Sequence, residues 1–190
     1  MEKSWEQLEE ACKGCRRCPL WQGRHHVVID RGSRTSKIML VGEGPGEQED
    51  LQGKAFVGPA GQLLDKMLQA AGFSLEEVYI ANIVKCRPPY NRDPQEEERQ
   101  ACLNYLRYQF ALVRPKIVVC LGRIAALTLM DPNFRITRQH GQWMEKKGVL
   151  FVATYHPSAL LRDESKKKEA WEDWKGIRDR YRAMEQEGKE

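Results

Sequence analysis

Four cysteines form two pairs whose spacing suits a metal centre. Cys15 and Cys18 are separated by two residues near the N-terminus, while Cys86 and Cys102 lie on either side of a loop rich in Pro and Asn. Thiolates are the ligands of iron-sulfur clusters and of structural zinc. Because the sequence has no export signal, we expect reduced thiols. The two pairs therefore predict an iron-sulfur or metal site rather than disulfide bonds.

Two alternatives to this ligand set stay open. Cys12 is also separated from Cys15 by two residues, so these two form a competing pair, and zinc is a competing metal. The Cys-Pro-Leu sequence that begins at Cys18 favours the pair of Cys15 and Cys18. Cys120 lies in an apolar segment and is expected to be an ordinary core residue.

Four short apolar segments have the length and composition of buried strands. They cover residues 37–41, 78–84, 116–121 and 150–154. The segments between them have helical spacing of apolar residues. This alternation predicts an α/β fold, a three-layer sandwich in which helices flank a central, mainly parallel four-stranded sheet.

Helices are expected outside and between these strands. Ser4 and Gln7 have capping-box spacing and predict a helix that runs toward Cys12. A long helix is expected through residue 110, with its cap at Asp93-Pro94. The charged tail over residues 162–190 has a helical pattern, and we expect it to pack through its tryptophans.

Polar residues that follow three of the strands are expected to share one pocket. The glycine-rich run 42–46 follows the first strand, Asn82 lies near the end of the second, and His156 follows the fourth. Carboxyl ends of parallel strands meet at one edge of a sheet, and ligands bind there. The order of elements therefore predicts a site at that edge.

The length and composition of the chain limit the number of domains and the kinds of partner that we expect. A chain of 190 residues with 41% hydrophobic and 31% charged residues is expected to form a single domain over residues 1–190, with an N-terminal helix and a charged C-terminal helix. A net charge of +4 permits binding to nucleic acid without demanding it. No targeting segment or bilayer-spanning stretch is visible, so we expect a cytoplasmic protein that binds no membrane.

Five motifs occur in order and are interleaved with the cysteine pairs. They are Gly42-Glu43-Gly44-Pro45-Gly46, Glu49-Asp50, Phe56-Val57-Gly58, Asn82-Ile83-Val84-Lys85-Cys86-Arg87-Pro88-Pro89, and His156-Pro157-Ser158-Ala159-Leu160-Leu161-Arg162. In this combination the chain resembles family 4 uracil-DNA glycosylases, the iron-sulfur type, over most of its length. One departure is His140, which stands where many relatives have an arginine.

The resemblance implies a DNA-repair enzyme. A monofunctional glycosylase of this kind flips uracil out of DNA, at a cost of about a few kcal/mol, and hydrolyses its N-glycosidic bond to leave an abasic site. The implied substrate is uracil-containing DNA, single- or double-stranded. The implied cofactor is a structural 4Fe-4S cluster held by Cys15, Cys18, Cys86 and Cys102. A sliding clamp is a candidate partner, and a monomer is the default expectation.

Four residues are expected to bind uracil. Phe56 is suited to stack on the flipped ring, and the amide of Asn82 matches the N3–H donor and O4 acceptor of uracil, whereas cytosine has the opposite pattern. The resemblance assigns steric exclusion of the thymine methyl group to Glu49. Gly44 belongs to the same pocket and stands where some relatives have a water-positioning aspartate.

Two residues are expected to act in the reaction. His156 fits a donor that stabilises negative charge on the departing uracil. With the aspartate missing, Glu43 is the candidate for orienting water or stabilising the oxocarbenium-like sugar, and Glu47 and Glu49 are alternatives.

A further set is expected to contact DNA. Leu160 resembles the residue that enters the base stack left by the flipped nucleotide. Ser158 and Arg162 are candidates for phosphate contacts, and the lysine run 166–168 could add to them.

Two alternative functions stay open. One is a relative that bonds covalently to the abasic product, but the segment 85–94 lacks the histidine associated with such a trap. The other is a non-catalytic iron-sulfur protein that binds DNA or a partner. The presence of Glu43, Asn82 and His156 argues against it.

Overall fold

The computed structural model describes residues 2–189, and within this range the strands form one sheet in the order β1-β3-β2-β4-β6-β5. The four predicted strands make its parallel centre, and a short antiparallel strand pairs along each edge. The α/β class is therefore confirmed, while the count of four strands is too low by the two edge strands. The strands are β1 (Arg31–Gly32), β2 (Ile38–Gly42), β3 (Val78–Asn82), β4 (Ile117–Leu121), β5 (Met144–Lys146) and β6 (Val149–Thr154).

Helices connect these strands and cover both faces of the sheet. Within residues 2–189, no helix is both long and apolar enough to cross a membrane. The helices are α1 (Trp5–Lys13), α2 (Glu47–Gln52), α3 (Pro59–Ala70), α4 (Glu96–Val113), α5 (Arg123–Leu129), α6 (Ile136–Gln139), α7 (Pro157–Arg162) and α8 (Lys167–Glu187), with 3-10 turns at Pro19–Gln22, Pro89–Asn91 and Glu164–Lys166.

Alternate side chains of β2 belong to two separate cores. Met39 and Val41 lie in the core that contains residues of α1, α4 and α5. Leu40 lies in the core that contains residues of α3 and α8, among them Trp174 of the charged tail. Because successive strand residues point to opposite faces, this division confirms the three-layer arrangement and the packing of the tail through a tryptophan.

The predicted N-terminal cap of α1 is confirmed, whereas the predicted cap of α4 is wrong. The Oγ of Ser4 accepts a hydrogen bond from the N–H of Gln7 and caps α1 as predicted. Helix α4 is capped at Gln95, not at Asp93, because the carboxylate of Glu98 accepts the N–H of Gln95 at 2.8 Å. Asp93 therefore lies outside the helix and is free for other contacts.

The register of β2 and β3 brings the first two predicted loops together. Gly42 lies opposite Asn82 at the last rung of this parallel pair. Two further backbone hydrogen bonds follow, from Ile83 N to Gly42 O at 2.9 Å and from Val84 N to Glu43 O at 3.2 Å. The main chain thus continues its pairing beyond the strands and fixes both loops at the carboxyl edge of the sheet.

Candidate active site and cysteine cavity

A cleft of about 550 Å³ lies at the carboxyl edge of the parallel strands. Its volume falls within the range typical of small-ligand sites. Eight of the nine residues predicted to catalyse or to bind uracil or DNA line it, and Leu160 does not. The eight are Glu43, Gly44, Glu49, Phe56, Asn82, His156, Ser158 and Arg162.

Asn82 contributes an unpartnered acceptor to this cleft. The residue is 1% exposed, and no described residue donates a hydrogen bond to its Oδ1. A Cβ at Gly42 would lie 2.5 Å from the ring of Phe56 and 2.6 Å from the Oδ1 of Asn82. The glycine therefore leaves the space in which ring and amide lie together. Since buried polar groups are nearly always paired, the free acceptor points to a ligand that donates there.

The carboxylate of Glu49 holds the loop that carries the phenylalanine. Its Oε2 accepts the N–H of Val57 at 2.9 Å and that of Gly58 at 2.5 Å, and its Oε1 accepts the N–H of Gly46 at 3.1 Å. Phe56 lies just before these donors with a left-handed φ of 55°. Glu49 therefore fixes the cleft wall by joining the start of α2 to the phenylalanine loop.

The imidazole of His156 is held in one tautomer. Its Nδ1 accepts the N–H of Ser158 at 3.0 Å and lies 2.7 Å from the Ser158 hydroxyl. Burial and, to a smaller extent, the positive charge of Arg162 lower the pKa of His156 to about 4. A neutral imidazole whose Nδ1 accepts carries its proton on Nε2. His156 therefore offers an uncharged N–H donor in the cleft, with its ring 5.5 Å from that of Phe56.

Glu43 has a second carboxyl group as its neighbour. Burial and, after it, the carboxyl of Asp93 raise the pKa of Glu43 to about 8, although Arg123 and Arg162 act in the opposite direction. Asp93 is itself bound by Arg123 at 2.8 Å. The raised pKa of Glu43 favours its protonated form at neutral pH, so the cleft contains a proton-holding carboxyl group beside a neutral histidine.

The burial of Leu160 contradicts its predicted entry into a base stack. The side chain is fully buried and packs with Tyr155 and Ala170. The next residue, Leu161, is 48% exposed and lines the cleft. The phase of the short helix α7 explains the difference, because adjacent helical residues point in directions about 100° apart.

Sequence reasoning missed residues of the loop before α4. Asp93 and Asn91 line the cleft, and Tyr90 is 99% exposed with a left-handed φ of 56°. In the sequence, the signal for Tyr90 is an aromatic residue that follows two prolines in a loop. The sequence pattern predicts Asp93 as a helix cap and not as a cleft residue, and Asn91 carries no pattern of its own.

Five cysteines line a second, smaller cavity next to the cleft, and all of them are free thiols. The predicted four converge there, with Cys12 as a fifth member, whereas Cys120 lies in the core as predicted. Within residues 2–189, no three Cys, His, Asp or Glu side chains are close enough to hold a single metal ion. The cavity is lined by Cys12, Cys15, Cys18, Cys86 and Cys102.

Two cations lie against these thiols. Lys85 is 2% exposed, and its ammonium donates a hydrogen bond to the main-chain O of Asn82 at 2.7 Å. Arg24 lies 3.5 Å from the Sγ of Cys86 and donates to the O of Cys15 at 2.9 Å. A buried ammonium requires a nearby negative charge. Thiolates bound to a cluster would supply that charge, so the donor set fits an iron-sulfur group.

Comparison with known proteins finds a matching family model and several similar proteins. A family model described as "Uracil DNA glycosylase superfamily" matches residues 29–175. The chain is similar to a type-4 uracil-DNA glycosylase of Sulfurisphaera tokodaii, with 43% identity over 185 residues, which cover 93% of this chain and 84% of the relative. A type-4 uracil-DNA glycosylase of Thermotoga maritima is 43% identical over 168 residues, or 86% of each chain. A type-5 uracil-DNA glycosylase of Pyrobaculum aerophilum is 33% identical over 165 residues, which cover 78% of this chain and 73% of the relative.

Proposed function

The chain belongs to the uracil-DNA glycosylase superfamily, and from that premise we propose that it removes uracil from DNA by hydrolysing the N-glycosidic bond. The product is an abasic site in an uncut strand. The observation that carries this proposal is the buried Oδ1 of Asn82, an acceptor without a partner on the wall of the cleft. Uracil presents a donor at N3 and cytosine an acceptor, so this amide oxygen selects uracil.

Base binding follows from the groups around Asn82. The ring of Phe56 lines the cleft beside the amide and supplies an apolar face for the flipped base. Glu49 and Gly44 line the same cleft, and Glu49 fixes the wall on which a thymine methyl group would collide. Because three backbone N–H groups hold its carboxylate, the wall resists displacement, and we infer that thymine is excluded by shape.

His156 is proposed to stabilise the departing base. Bond cleavage leaves negative charge on the uracil ring, and a donor fixed near O2 lowers the energy of that anion. The Nε2–H of His156 is available for this because Ser158 occupies Nδ1. The pKa of about 4 keeps the imidazole neutral at physiological pH, so the ring donates a hydrogen bond without giving up a full proton.

Glu43 is proposed to orient the attacking water. Its carboxylate form accepts a proton from water or stabilises positive charge on the sugar. The nearby carboxyl of Asp93 and the raised pKa of Glu43 mean that this form becomes populated as the pH rises through about 8. The rate of the reaction is therefore expected to depend on that ionisation.

The DNA is proposed to cross the rim of the cleft. Arg162 is exposed on this rim, and its guanidinium suits a phosphate contact. Ser158 is committed in part to His156 and contacts phosphate only if its hydroxyl turns away. Leu161, rather than the buried Leu160, is the residue of this segment whose exposure suits entry into the base stack.

We propose that Cys15, Cys18, Cys86 and Cys102 hold a 4Fe-4S cluster with a structural role. When bound, this group cross-links the N-terminal segment to the loop and helix that carry the other two cysteines. Arg24 supports this ligand set because its guanidinium contacts the Sγ of Cys86 and donates to the main-chain O of Cys15.

We also propose that the whole chain works as one domain in the cytoplasm. Residues of α1 and of α8 share cores with strands of the same sheet, which supports a single unit. All six cysteines are free thiols, which suits a reducing compartment. A monomer that acts on single- or double-stranded DNA is the simplest form of this proposal.

The test is a denaturing gel of an end-labelled oligonucleotide with one uracil, split into alkali-treated and untreated halves. Cleavage only after alkali is the expected result. The variant Asn82→Ala should lose most of this activity, while a matched oligonucleotide with cytosine stays intact for both proteins. An intact uracil oligonucleotide with the cluster-loaded protein would contradict the proposal and leave a DNA-binding protein without catalysis.

A further inference from the structure

Lys85 lies between the two sites and contacts both. It follows the end of β3 and precedes Cys86 in the chain. Its side chain is among the largest that are fully buried, and it lines the cysteine cavity. Its ammonium donates a hydrogen bond of 2.7 Å to the main-chain O of Asn82. One side chain thus reaches from the cysteine cavity to the residue whose amide faces the cleft.

The hydrogen bond of this ammonium goes to a main-chain oxygen and not to a carboxylate. Burial lowers the pKa of Lys85, while Cys102, Cys12 and, after them, Asp30 act in the opposite direction. The Oδ2 of Asp30 is already bound by Arg34 at 3.0 Å and by the hydroxyl of Tyr79 at 2.9 Å. A buried cation of this kind is stable only beside a negative group, and the cysteines of the cavity that Lys85 lines would supply that charge as cluster-bound thiolates.

The hydrogen bond from the Lys85 ammonium to the main-chain O of Asn82 helps to fix the position of Asn82. Its carbonyl belongs to the last rung of the β2–β3 pair, opposite Gly42. A charged donor on this oxygen fixes the peptide plane from which the side chain of Asn82 enters the cleft. Hydrogen bonds from charged donors are stronger than those from neutral ones, so the contact restricts the direction of the amide.

We propose that Lys85 is a positioning residue that balances the charge of the cysteine-bound cluster and at the same time fixes the uracil-reading Asn82. The second half of this inference rests on the proposed function of Asn82, while the first does not. The consequence is that the state of the cysteine cavity affects base recognition through a single side chain, without any electron transfer in the reaction.

The test compares cluster-loaded wild type with Lys85→Met, Lys85→Arg and the control Lys146→Met. Lys146 also donates to main-chain oxygens, those of Leu129 and Met130, and it is not among the residues that line either cavity. The readouts are iron and sulfide content, the reduction potential of the cluster and the single-turnover rate of uracil excision.

Lys85→Met is expected to move the potential to more negative values, because loss of a buried positive charge disfavours the more negative reduced cluster. Its excision rate should fall about tenfold, as expected for loss of a hydrogen bond from a charged donor. Lys85→Arg should restore the potential, and Lys146→Met should change neither value. If Lys85→Met does not fold, the neutral but polar Lys85→Gln takes its place in the same comparison.

A potential that is unchanged in the neutral variant would overturn the inference. An unchanged excision rate with a shifted potential would overturn its second half. If wild type excises no uracil, the proposed function fails, but the potentials still decide whether Lys85 balances the charge of the cluster.

Discussion

The active-site cleft and the cysteine cavity lie on either side of one short segment, residues 82–86, but different forces build them. In the cleft, hydrogen bonds from the protein itself fix the side chains: backbone N–H groups hold Glu49, and Ser158 holds His156. In the cavity, thiols converge around buried positive charge. The contrast teaches that hydrogen bonds within the chain shape the uracil site, whereas the proposed cluster would complete the cavity.

Of the substitutions considered, removal of a cysteine that binds the proposed cluster should have the largest effect, and this effect should be on iron content and stability. We expect Cys86→Ser to lose its iron and to lower the melting temperature by more than about 10 °C, because a cross-link between distant segments is lost. Cys120→Ala, in the core, should keep its iron and serves as the control. Equal iron content in Cys86→Ser and wild type would contradict the ligand assignment.

Substitution of Cys12, the fifth cysteine of the cavity, tests which N-terminal pair of cysteines binds the cluster. If Cys15 and Cys18 form the N-terminal pair, Cys12→Ser keeps the full iron and sulfide content of wild type. Loss of iron from Cys12→Ser, with iron retained in Cys18→Ser, would instead select the competing pair.

In the cleft, the largest effect is expected from the histidine. His156→Ala should lower the single-turnover excision rate by about 10²–10³-fold, the size found when one donor to a developing anion is removed. Binding to uracil-containing DNA should change little, since the donor acts mainly on the departing base. Ser158→Ala keeps the backbone N–H on Nδ1 and should lose much less. A similar loss in both variants would contradict this prediction and show that the imidazole acts only when the Ser158 hydroxyl is present.

The carboxyl pair predicts an alkaline pH profile. Burial and Asp93 raise the pKa of Glu43 to about 8, so the active carboxylate is scarce below that pH. The excision rate should rise about tenfold per pH unit up to about 8 and then level off. Asp93→Asn removes one cause of the raised pKa, so its profile should shift to lower pH. A flat profile between pH 6 and 9 in wild type would rule out Glu43 ionisation as the controlling step.

The smallest effect is expected at the rim. Leu161→Ala should lower excision from duplex DNA by roughly fivefold and leave single-stranded DNA nearly unaffected, because only the duplex has a stack to fill. Its melting temperature should not change. Leu160→Ala should instead lose about 2–5 kcal/mol of stability, as buried leucines do. The opposite result, with Leu160 controlling duplex excision in a stable protein, would restore the sequence-based assignment.

The sequence predicted well where apolar segments end in polar residues. Asn82 ends one buried strand and His156 follows another, and the geometry of a parallel sheet requires such residues to share an edge. The edge strands β1 and β5 were not predicted because they are short, partly exposed and polar. Their pairing depends on the neighbouring strand and not on their own composition.

Side-chain direction and long-range charge could not be read from the sequence. Leu160 and Leu161 are identical in type, and only the packing of α7 decides which of them is buried. Lys85 reads as an ordinary basic residue, because its burial and its contact with Asn82 arise only when β3 and the cysteine loop are folded together. The roles of such residues depend on tertiary contacts that local patterns do not encode.

The pairing of Gly42 with Asn82 protects the proposed base selection against thermal fluctuation. Neighbouring rungs of a parallel ladder can slip only in concert, and a shift by one residue would turn Asn82 toward the opposite face. Misreading of a base through such a shift therefore requires opening of the central sheet, an event as rare as subglobal unfolding. Amide hydrogen exchange at Ile83, whose N–H is bound to Gly42 O, should accordingly be as slow as that of the most protected core amides.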